Sequence, residues 1–311
     1  MSSLMAFPGQ GAQYPHMLHQ LPDDVLVRDC LSEASDALGE DITALDSADA
    51  LSNTRAVQLC LLIAGVACAR FLLARSETPD YVAGLSIGAY PAAVIAGALA
   101  FGDAVRLVAL RGKLMQDAYP TGFGMTAILG LDQASVEALV AQVHSTRTPL
   151  YLANINAELQ MVVAGSDKAM ATVAELAKSK GAGAARRLAV SVPSHCALLE
   201  QPALLLADAF AKVPMQAPGM RYLSGSTARL VTSADALRDD LVINMSRVID
   251  WRGTVQTAFE RGVRLQIEMP PGTVLTGLGK KVFTHGTALS FQGTRVDTLS
   301  ALLHEESHRN P

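Results

Sequence analysis

The sequence is poor in cysteine and in charge, and both shortages exclude classes of protein. Only 4 of the 311 residues are cysteines, at positions 30, 60, 68 and 196, and none form a Cys-x-x-Cys pair. We therefore expect reduced thiols in a cytoplasmic protein, with no disulfide framework and no metal site. A total of 25 Lys and Arg against 29 Asp and Glu gives a net charge of −4. This balance lacks the basic excess that is typical of nucleic-acid-binding proteins.

Long apolar stretches are also scarce. One stretch without a charge lies between Arg55 and Arg70 and has 14 residues. Such a stretch is too short to span a bilayer and predicts a buried helix. The N-terminus, MSSLMAFPGQGAQ, has no basic region followed by a long apolar run, so we expect no signal peptide. Neither a membrane nor a nucleic acid is expected as a partner.

What the sequence does contain is a regular alternation of short β-like runs and helical patterns. Its length and its 50% hydrophobic residues allow one large domain with an insertion, or two domains. The alternation predicts an α/β protein with a largely parallel sheet. Helices are expected at about 24–39, 54–74, 87–98, 102–118, 133–144, 168–180, 197–212 and 250–261. Strands are expected at about 4–7, 81–84, 125–130, 149–153, 160–165, 185–190, 220–223 and 263–268.

The middle of the chain has its own pattern. Residues 124–190 have the order β-α-β-β-α-β, which is that of the ferredoxin-like split motif. We predict a small subdomain over 124–190, inserted into a large subdomain formed by 1–123 and 191–311. The polar tail HEESHRNP, 304–311, is expected to be frayed.

One candidate nucleophile is Ser86, in the stretch YVAGLSIGAYPAAVIAG. Gly84 and Gly88 give the Gly-x-Ser-x-Gly pattern of a sharp strand-to-helix turn, where bulkier residues would clash. The serine hydroxyl would project from the carboxyl edge of the sheet, in front of a helix N-terminus. A serine N-cap between two packing glycines explains the same pattern equally well.

Three further stretches favour a catalytic site. The loop FPGQGAQ follows the first strand and can aim backbone N–H groups at an anion. His195, in VSVPSHC, lies in a turn at the edge of the predicted insertion, where a cleft is expected. Arg111 precedes Gly112 inside a helix, and a glycine there costs about 1 kcal/mol relative to alanine. Close approach of another group would explain that glycine.

Together these segments resemble the malonyl-CoA:acyl carrier protein transacylases. The resemblance covers almost the whole chain and rests on FPGQGAQ, GLSIG, LRGKLMQ, NINAELQMVVAG, VSVPSHC and GTVLTGLGKK, in the family's order. It implies an α/β-hydrolase-like large subdomain with an inserted ferredoxin-like small one. It also implies malonyl-CoA as substrate, no permanently bound cofactor and no metal. The implied partner is a small carrier protein with a phosphopantetheine-type thiol.

The resemblance also implies a role for individual residues. Ser86 matches the acylated nucleophile and His195 its general base. The backbone N–H groups of Gln10 and Ile87 match the oxyanion hole. Arg111 matches the partner of the malonyl carboxylate, which suits a planar guanidinium that binds carboxylates bidentately. The backbone carbonyl of Asn244 matches the group that orients the histidine.

Several positions depart from the family pattern. Asn244 and Val248 replace its usual glutamine and proline, while Leu85 and Ala89 replace the usual histidine and glutamate around the serine. Pro91 follows in the next helix. GLSIGAYPAA is similar to the malonyl-transferase subunit of bacterial malonate decarboxylase, which loads a carrier subunit. We therefore expect that branch, with the fatty-acid-synthesis transacylase as the alternative.

Other functions remain open at this stage. A serine esterase would need an acidic third member, and the candidates between Ser86 and His195 fall in the insertion: Asp132, Asp167 and Glu175. A non-catalytic carrier-binding subunit and a cysteine enzyme using Cys196 are more remote.

Two basic pairs are candidates for carrier docking. Arg186–Arg187 lies on the last predicted strand of the insertion, and Lys280–Lys281 follows GTVLTGLG. Ordinary solvated surface charge is the alternative explanation for both pairs.

Overall fold

The computed structural model describes residues 2–308 and contains two β-sheets surrounded by helices. The helices are α1 (Val25–Leu38), α2 (Thr54–Leu73), α3 (Ala89–Ile95), α4 (Phe101–Ala118), α5 (Gln133–Val143), α6 (Asp167–Ser179), α7 (Glu200–Phe210), α8 (Ala234–Ile243), α9 (Trp251–Glu260), α10 (Val274–Gly279) and α11 (Val296–His308). The strands are β1 (Ser2–Phe7), β2 (Tyr81–Gly84), β3 (Phe123–Leu129), β4 (Leu150–Ala157), β5 (Gln160–Ser166), β6 (Ala184–Arg187), β7 (Arg221–Leu223), β8 (Leu230–Val231), β9 (Ile249–Asp250), β10 (Val263–Glu268) and β11 (Thr287–Ser290).

The larger sheet has the strand order β11-β10-β1-β2-β7-β8 and is parallel except for the last pair. Strand β1 is covered on both faces, since its residues alternate between two cores. Met5 and Phe7 face the core that contains α1–α4, whereas Leu4 and Ala6 face the core that contains α9 and α10. Burial on both faces is typical of parallel sheets. The carboxyl ends of β1 and β2 therefore lie side by side, and the loops that follow them carry Gln10 and Ser86.

The smaller sheet has the order β6-β3-β5-β4-β9. Its first four strands are antiparallel and, with α5 and α6, form the predicted β-α-β-β-α-β unit. The short strand β9 belongs to the chain after the insertion and pairs in parallel with β4, at Asn154↔Ile249. The predicted fold class, a hydrolase-like α/β part with a ferredoxin-like part, is confirmed. The boundaries at 124 and 190 stay a prediction.

Helix α2 is the central helix of the larger core. By length and composition its 20 residues could cross a membrane, but 83% of the apolar window is buried inside the protein. The helix packs against α1, α3 and α4. Cys60 and Cys68 lie in it, and all four cysteines are free and buried. The apolar stretch is thus satisfied by packing within the fold.

The sequence patterns miss most of the C-terminal elements. The expected elements do not include helices α8 and α11 or strands β8, β9 and β11, because each is short or has a weak apolar period. The predicted fraying of the tail is wrong for residues 304–308, which continue α11. That helix buries Leu299 and Leu303 and contacts β1 and β10, so packing stabilises it. The rest of the tail, 309–311, lies outside the described residues.

Candidate active site

Ser86 lies at a tight turn between β2 and α3. Its φ of 57° is in the left-handed region, which is costly for a residue with a side chain. A Cβ on Gly84 would lie 1.9 Å from the Gly88 carbonyl carbon, and one on Gly88 would lie 2.2 Å from the Phe7 carbonyl oxygen. Only glycine fits at either position. The turn is therefore a strand-to-helix elbow, and Ser86 is not the N-cap of α3.

His195 faces this serine from the loop after the insertion. Its own φ is 65°, and its backbone N–H donates to the Met245 carbonyl at 2.7 Å. The ring Nε2 lies 2.8 Å from Ser86 Oγ, and Nδ1 lies 2.8 Å from the Asn244 carbonyl oxygen. Because a carbonyl can only accept, Nδ1 carries the hydrogen and Nε2 is free to accept one from Ser86. This is the geometry of a serine activated by a histidine base.

The environment of His195 keeps its ring neutral. Burial and, to a smaller extent, the nearby positive charge of Arg111 lower the pKa of His195 to about 3, although the Asn244 carbonyl acts in the opposite direction. A neutral imidazole is the form that can take a proton from a hydroxyl. The ring is therefore in its proton-accepting form at neutral pH.

Arg111 lies next to Asn244 and is fully buried. Its Nη1 donates to Gln58 Oε1 at 2.7 Å and its Nη2 donates to Asn244 Oδ1 at 3.2 Å, while the Tyr90 ring centroid lies 5.8 Å from its Cζ. Among residues 2–308 no carboxylate is paired with it, and its Nε has no hydrogen-bond partner. Burial lowers the pKa of Arg111. A buried guanidinium without an anion is costly, so this site is suited to an anionic ligand.

The helix that carries Arg111 approaches α2 very closely. A Cβ on Gly112 would lie 2.5 Å from the Arg55 Cα. The expected close approach at Gly112 is confirmed. It brings Arg111 on α4 within hydrogen-bond distance of Gln58 on α2.

A cavity of about 210 Å³ opens beside Ser86 and His195. Gln10 lines it, while Ile87 is buried in the 3-10 turn that starts at Ser86. Gly9 lies against the elbow, since a Cβ there would be 3.0 Å from the Leu85 carbonyl oxygen. Both residues expected to supply oxyanion donors are thus next to Ser86. Arg111 is not among the residues that line the cavity.

The sequence analysis missed several residues of this site. Gln58 is the one polar residue in the uncharged run 56–69. A single polar residue in a predicted buried helix could have indicated a functional role. It donates to Gln10 Oε1 at 3.1 Å, so it links the loop after β1 to Arg111. Asn154 and Asn156, on β4, line the cavity with buried side-chain oxygens that have no hydrogen-bond partner among residues 2–308. The two asparagines are two residues apart on β4, and no sequence pattern assigns them to the cavity.

The alternative catalytic residues are occupied elsewhere. The Cys196 thiol donates to the Pro193 carbonyl, and burial raises its pKa to about 12, which makes it a poor nucleophile. Asp132 caps α5 and Asp167 pairs with Arg187, while Glu175 pairs with Lys178. The acceptor at His195 Nδ1 is a backbone carbonyl.

Comparison with known proteins agrees with this geometry. A sequence profile described as the acyl transferase domain matches residues 5–307. The chain belongs to this acyl transferase family. The prediction that the protein is an acyltransferase is thereby confirmed.

Alignments with individual relatives extend over nearly the whole chain. This acyl transferase is 40% identical over 293 residues to the malonyl CoA-acyl carrier protein transacylase of Escherichia coli K12, with 91% of this chain and 93% of the relative covered. An acyl-carrier-protein S-malonyltransferase from Burkholderia pseudomallei 1710b matches with a TM-score of 0.91 and 38% identity, over 97% of this chain and 100% of its own. A malonyl-transacylase solved with a type II PKS acyl-carrier protein matches with a TM-score of 0.87 and 38% identity, over 93% and 94%.

These names favour one of the two expected branches. All three relatives are named as malonyl transferases or transacylases, so the comparisons support the alternative better than the malonate decarboxylase branch. In this acyltransferase Leu85 lines the cavity, where the family pattern has a histidine, and Ala89 is buried. Pro91 packs against Gly65 of α2.

Asn244, which replaces the glutamine of the family pattern, makes two contacts at the site. The Asn244 carbonyl meets His195, as expected, and its side chain also accepts a hydrogen bond from Arg111. The side-chain Nδ2 is buried without a partner among the described residues. Asn244 therefore contacts both His195 and Arg111.

Proposed function

We propose that this enzyme transfers a malonyl group from malonyl-CoA to the thiol of an acyl carrier protein, through an acyl-enzyme on Ser86. The observation that carries the proposal is the chain of hydrogen bonds from Ser86 Oγ to His195 Nε2 and from His195 Nδ1 to the Asn244 carbonyl, each 2.8 Å. This chain borders a cavity that can admit a thioester, and the buried cation of Arg111 donates to the side chain of Asn244.

In the first half-reaction Ser86 Oγ attacks the thioester carbonyl of malonyl-CoA while His195 Nε2 takes the hydroxyl proton. The oxyanion that forms is held by the backbone N–H groups of Gln10 and Ile87. When the C–S bond breaks, the proton on His195 passes to the departing CoA sulfur. The products are free CoA and malonyl-Ser86.

The second half-reaction reverses these steps with a different thiol. The phosphopantetheine thiol of the carrier gives its proton to His195 and attacks the ester carbonyl of malonyl-Ser86. The C–O bond breaks, and the proton returns to Ser86 Oγ. Two substrates that use one cavity in turn give ping-pong kinetics.

Arg111 supplies selectivity for the malonyl group. Its guanidinium has unused N–H donors and no paired carboxylate among the described residues. Bidentate pairing with the free carboxylate of the malonyl group would compensate the buried charge. An acetyl group offers no such partner. When no substrate is bound, Gln58 and Asn244 hold the guanidinium in place by accepting its hydrogen bonds.

A carrier subunit of malonate decarboxylase is the second candidate acceptor. Leu85 and Ala89, in place of the usual histidine and glutamate beside the serine, are the observation that favours it. The names of the relatives favour the acyl carrier protein of fatty acid synthesis instead.

A comparison of acceptors tests the proposal. The enzyme is preloaded with radiolabelled malonyl-CoA, freed of CoA, and mixed with a holo acyl carrier protein or with the thiol-bearing carrier subunit of a malonate decarboxylase. We expect faster transfer to the acyl carrier protein, and a stable acyl-enzyme when no thiol is present. Faster transfer to the decarboxylase carrier would favour the second candidate. Rapid hydrolysis without a thiol would identify an esterase and contradict the proposal.

A further inference from the structure

A second group of reactive side chains lies outside the cavity. His16 and His19 are exposed on the segment between β1 and α1, and Asp46 ends a 3-10 helix, Ile42–Asp46. One ligand atom from each of the three residues lies within 4.8 Å of the other two. None of them lines the cavity beside Ser86.

The fold holds this group together through the backbone. The backbone N–H of His16 donates to the Asp46 carbonyl at 2.8 Å, and that of Leu18 donates to Asp46 Oδ2 at 2.8 Å. His16 has a φ of 63°, a left-handed conformation that turns the segment back toward Asp46. The arrangement therefore does not depend on flexible side chains alone.

Asp46 carries the observation that points to a cation. Its side chain is 1% exposed, yet within residues 2–308 its Oδ1 has no hydrogen-bond partner. Its Oδ2 lies 3.0 Å from His19 Nδ1. Buried carboxylate oxygens are normally paired or bound to a metal, because an unsatisfied one is costly.

We propose that His16, His19 and Asp46 form a binding site for Zn²⁺. Two imidazole nitrogens and one carboxylate oxygen are three ligands that zinc accepts, and water would complete a tetrahedron. Zn–N and Zn–O distances of about 2.0–2.2 Å place tetrahedral ligands roughly 3.4 Å apart. The two exposed histidine rings can close the remaining gap from 4.8 Å by small rotations.

This site was not expected from the sequence, which predicted no metal on the basis of its cysteines. His16 and His19 are three residues apart, but Asp46 is distant along the chain, so only the fold brings them together. The ion would join the segment after the Gln10 loop to the 3-10 helix. It would stabilise the fold, and the inference does not rest on the proposed function.

The test uses the full chain with a competing pair of histidines removed. His304 and His308 lie one turn apart on α11, with ring centroids 4.1 Å apart, and could bind zinc weakly on their own. The background protein therefore carries His304→Gln and His308→Gln. The test variant adds His16→Asn and His19→Gln, since asparagine tolerates the left-handed conformation at 16. The matched control adds His285→Gln instead, at an exposed histidine outside the group.

Each protein is stripped with chelator and titrated with ZnCl₂ by calorimetry, and its Tm is measured with and without zinc. The background and control proteins should bind one zinc ion per chain. Zinc at 100 times its Kd should raise their Tm by about 4 °C, and Mg²⁺ should not, because it prefers oxygen ligands. Co²⁺ should give the intense visible bands of four-coordinate geometry. The test variant should lose binding and the Tm shift together.

Two results would overturn the proposal. One is a test variant that binds zinc as tightly as the background protein. The other is a background protein that binds no zinc in calorimetry. Either result can occur while malonyl transfer is normal, so the zinc site and the proposed function are tested separately.

Discussion

Arg111 is the residue whose surroundings are hardest to explain by stability alone. It is fully buried, and its partners are two neutral amides, Gln58 and Asn244. Neutral hydrogen bonds recover only part of the cost of taking a charge out of water. A residue kept at such a cost is typical of a binding site rather than of a structural core.

Replacing Arg111 with alanine should therefore change substrate choice more than stability. A charge-assisted bidentate pair contributes roughly 2–4 kcal/mol, which corresponds to about 30- to 1000-fold in kcat/KM for malonyl transfer. Acetyl transfer should fall much less. The measurement is kcat/KM with malonyl-CoA and acetyl-CoA for Arg111→Ala, with Arg111→Lys as the conservative variant. Equal losses for both acyl groups would show that Arg111 only supports the structure.

The pH dependence of acylation follows from the buried His195. Its pKa of about 3 keeps the ring neutral at all higher pH values. Acylation by malonyl-CoA should therefore show no loss of kcat/KM between about pH 8 and pH 5, where an ordinary histidine would become protonated. A decline centred near pH 6.5 would contradict this account.

The lowered pKa of His195 also makes the free energy of unfolding depend on pH. The unfolded chain has an ordinary histidine pKa of about 6.5, so it binds the proton that folded His195 refuses. The contribution of His195 to the free energy of unfolding is therefore at its maximum above that pH and is lost as the pH falls from about 6.5 toward 3. Circular dichroism at each pH is the control that the enzyme remains folded.

Among the elements, those that position the site were largely predictable. Gly84 and Gly88 predict the elbow because no side chain fits there, and Gly112 predicts the contact between α4 and α2. What could not be predicted depends on distant contacts. Asn154 of β4 pairs with Ile249 of β9 and lines the cavity, and only the fold reveals this. Helix α11 depends on packing against β1 and β10, whereas its local sequence suggested a frayed tail.

Two glycines of α4 give a matched test of this packing. A Cβ on Gly112 would lie 2.5 Å from the Arg55 Cα, whereas one on Gly102 would meet nothing closer than 3.7 Å. Gly112→Ala should destabilise the protein by about 1–3 kcal/mol through overpacking. Gly102→Ala should be neutral or stabilising by up to about 1 kcal/mol, because alanine favours helices. Denaturant unfolding of both variants checks this, and similar effects would contradict the close contact.

At the scale of the whole molecule, the residues of the two basic pairs expected to bind the carrier differ in their position relative to the cavity. Arg186 lies opposite Ala127 across β6 and β3, and Ala127 lines the cavity, so Arg186 shares that face of the sheet. Arg187 points to the other face and is paired with Asp167. Lys280 follows α10, whose first residues line the cavity. Arg186 and Lys280 are therefore the better candidates for carrier docking.

Charge reversal at these two positions should weaken carrier use. Arg186→Glu and Lys280→Glu should each raise the apparent KM for carrier, while acylation by malonyl-CoA changes less, since surface charges mainly control association. The effect should shrink as salt rises, because charges are screened within about 8 Å at physiological ionic strength. Lys212→Glu, at an exposed site after α7, is the matched control. Native carrier kinetics at low salt in both variants would place docking elsewhere.

The most direct test of the central claim is mass spectrometry of the enzyme after brief incubation with malonyl-CoA and no acceptor. The account predicts one malonyl adduct, on the peptide that contains Ser86, present in the native protein and in Cys196→Ala but absent from Ser86→Ala. Addition of holo acyl carrier protein should remove it and yield malonyl-carrier. An adduct on Cys196 with Ser86 unmodified, or label retained in Ser86→Ala, would contradict the account.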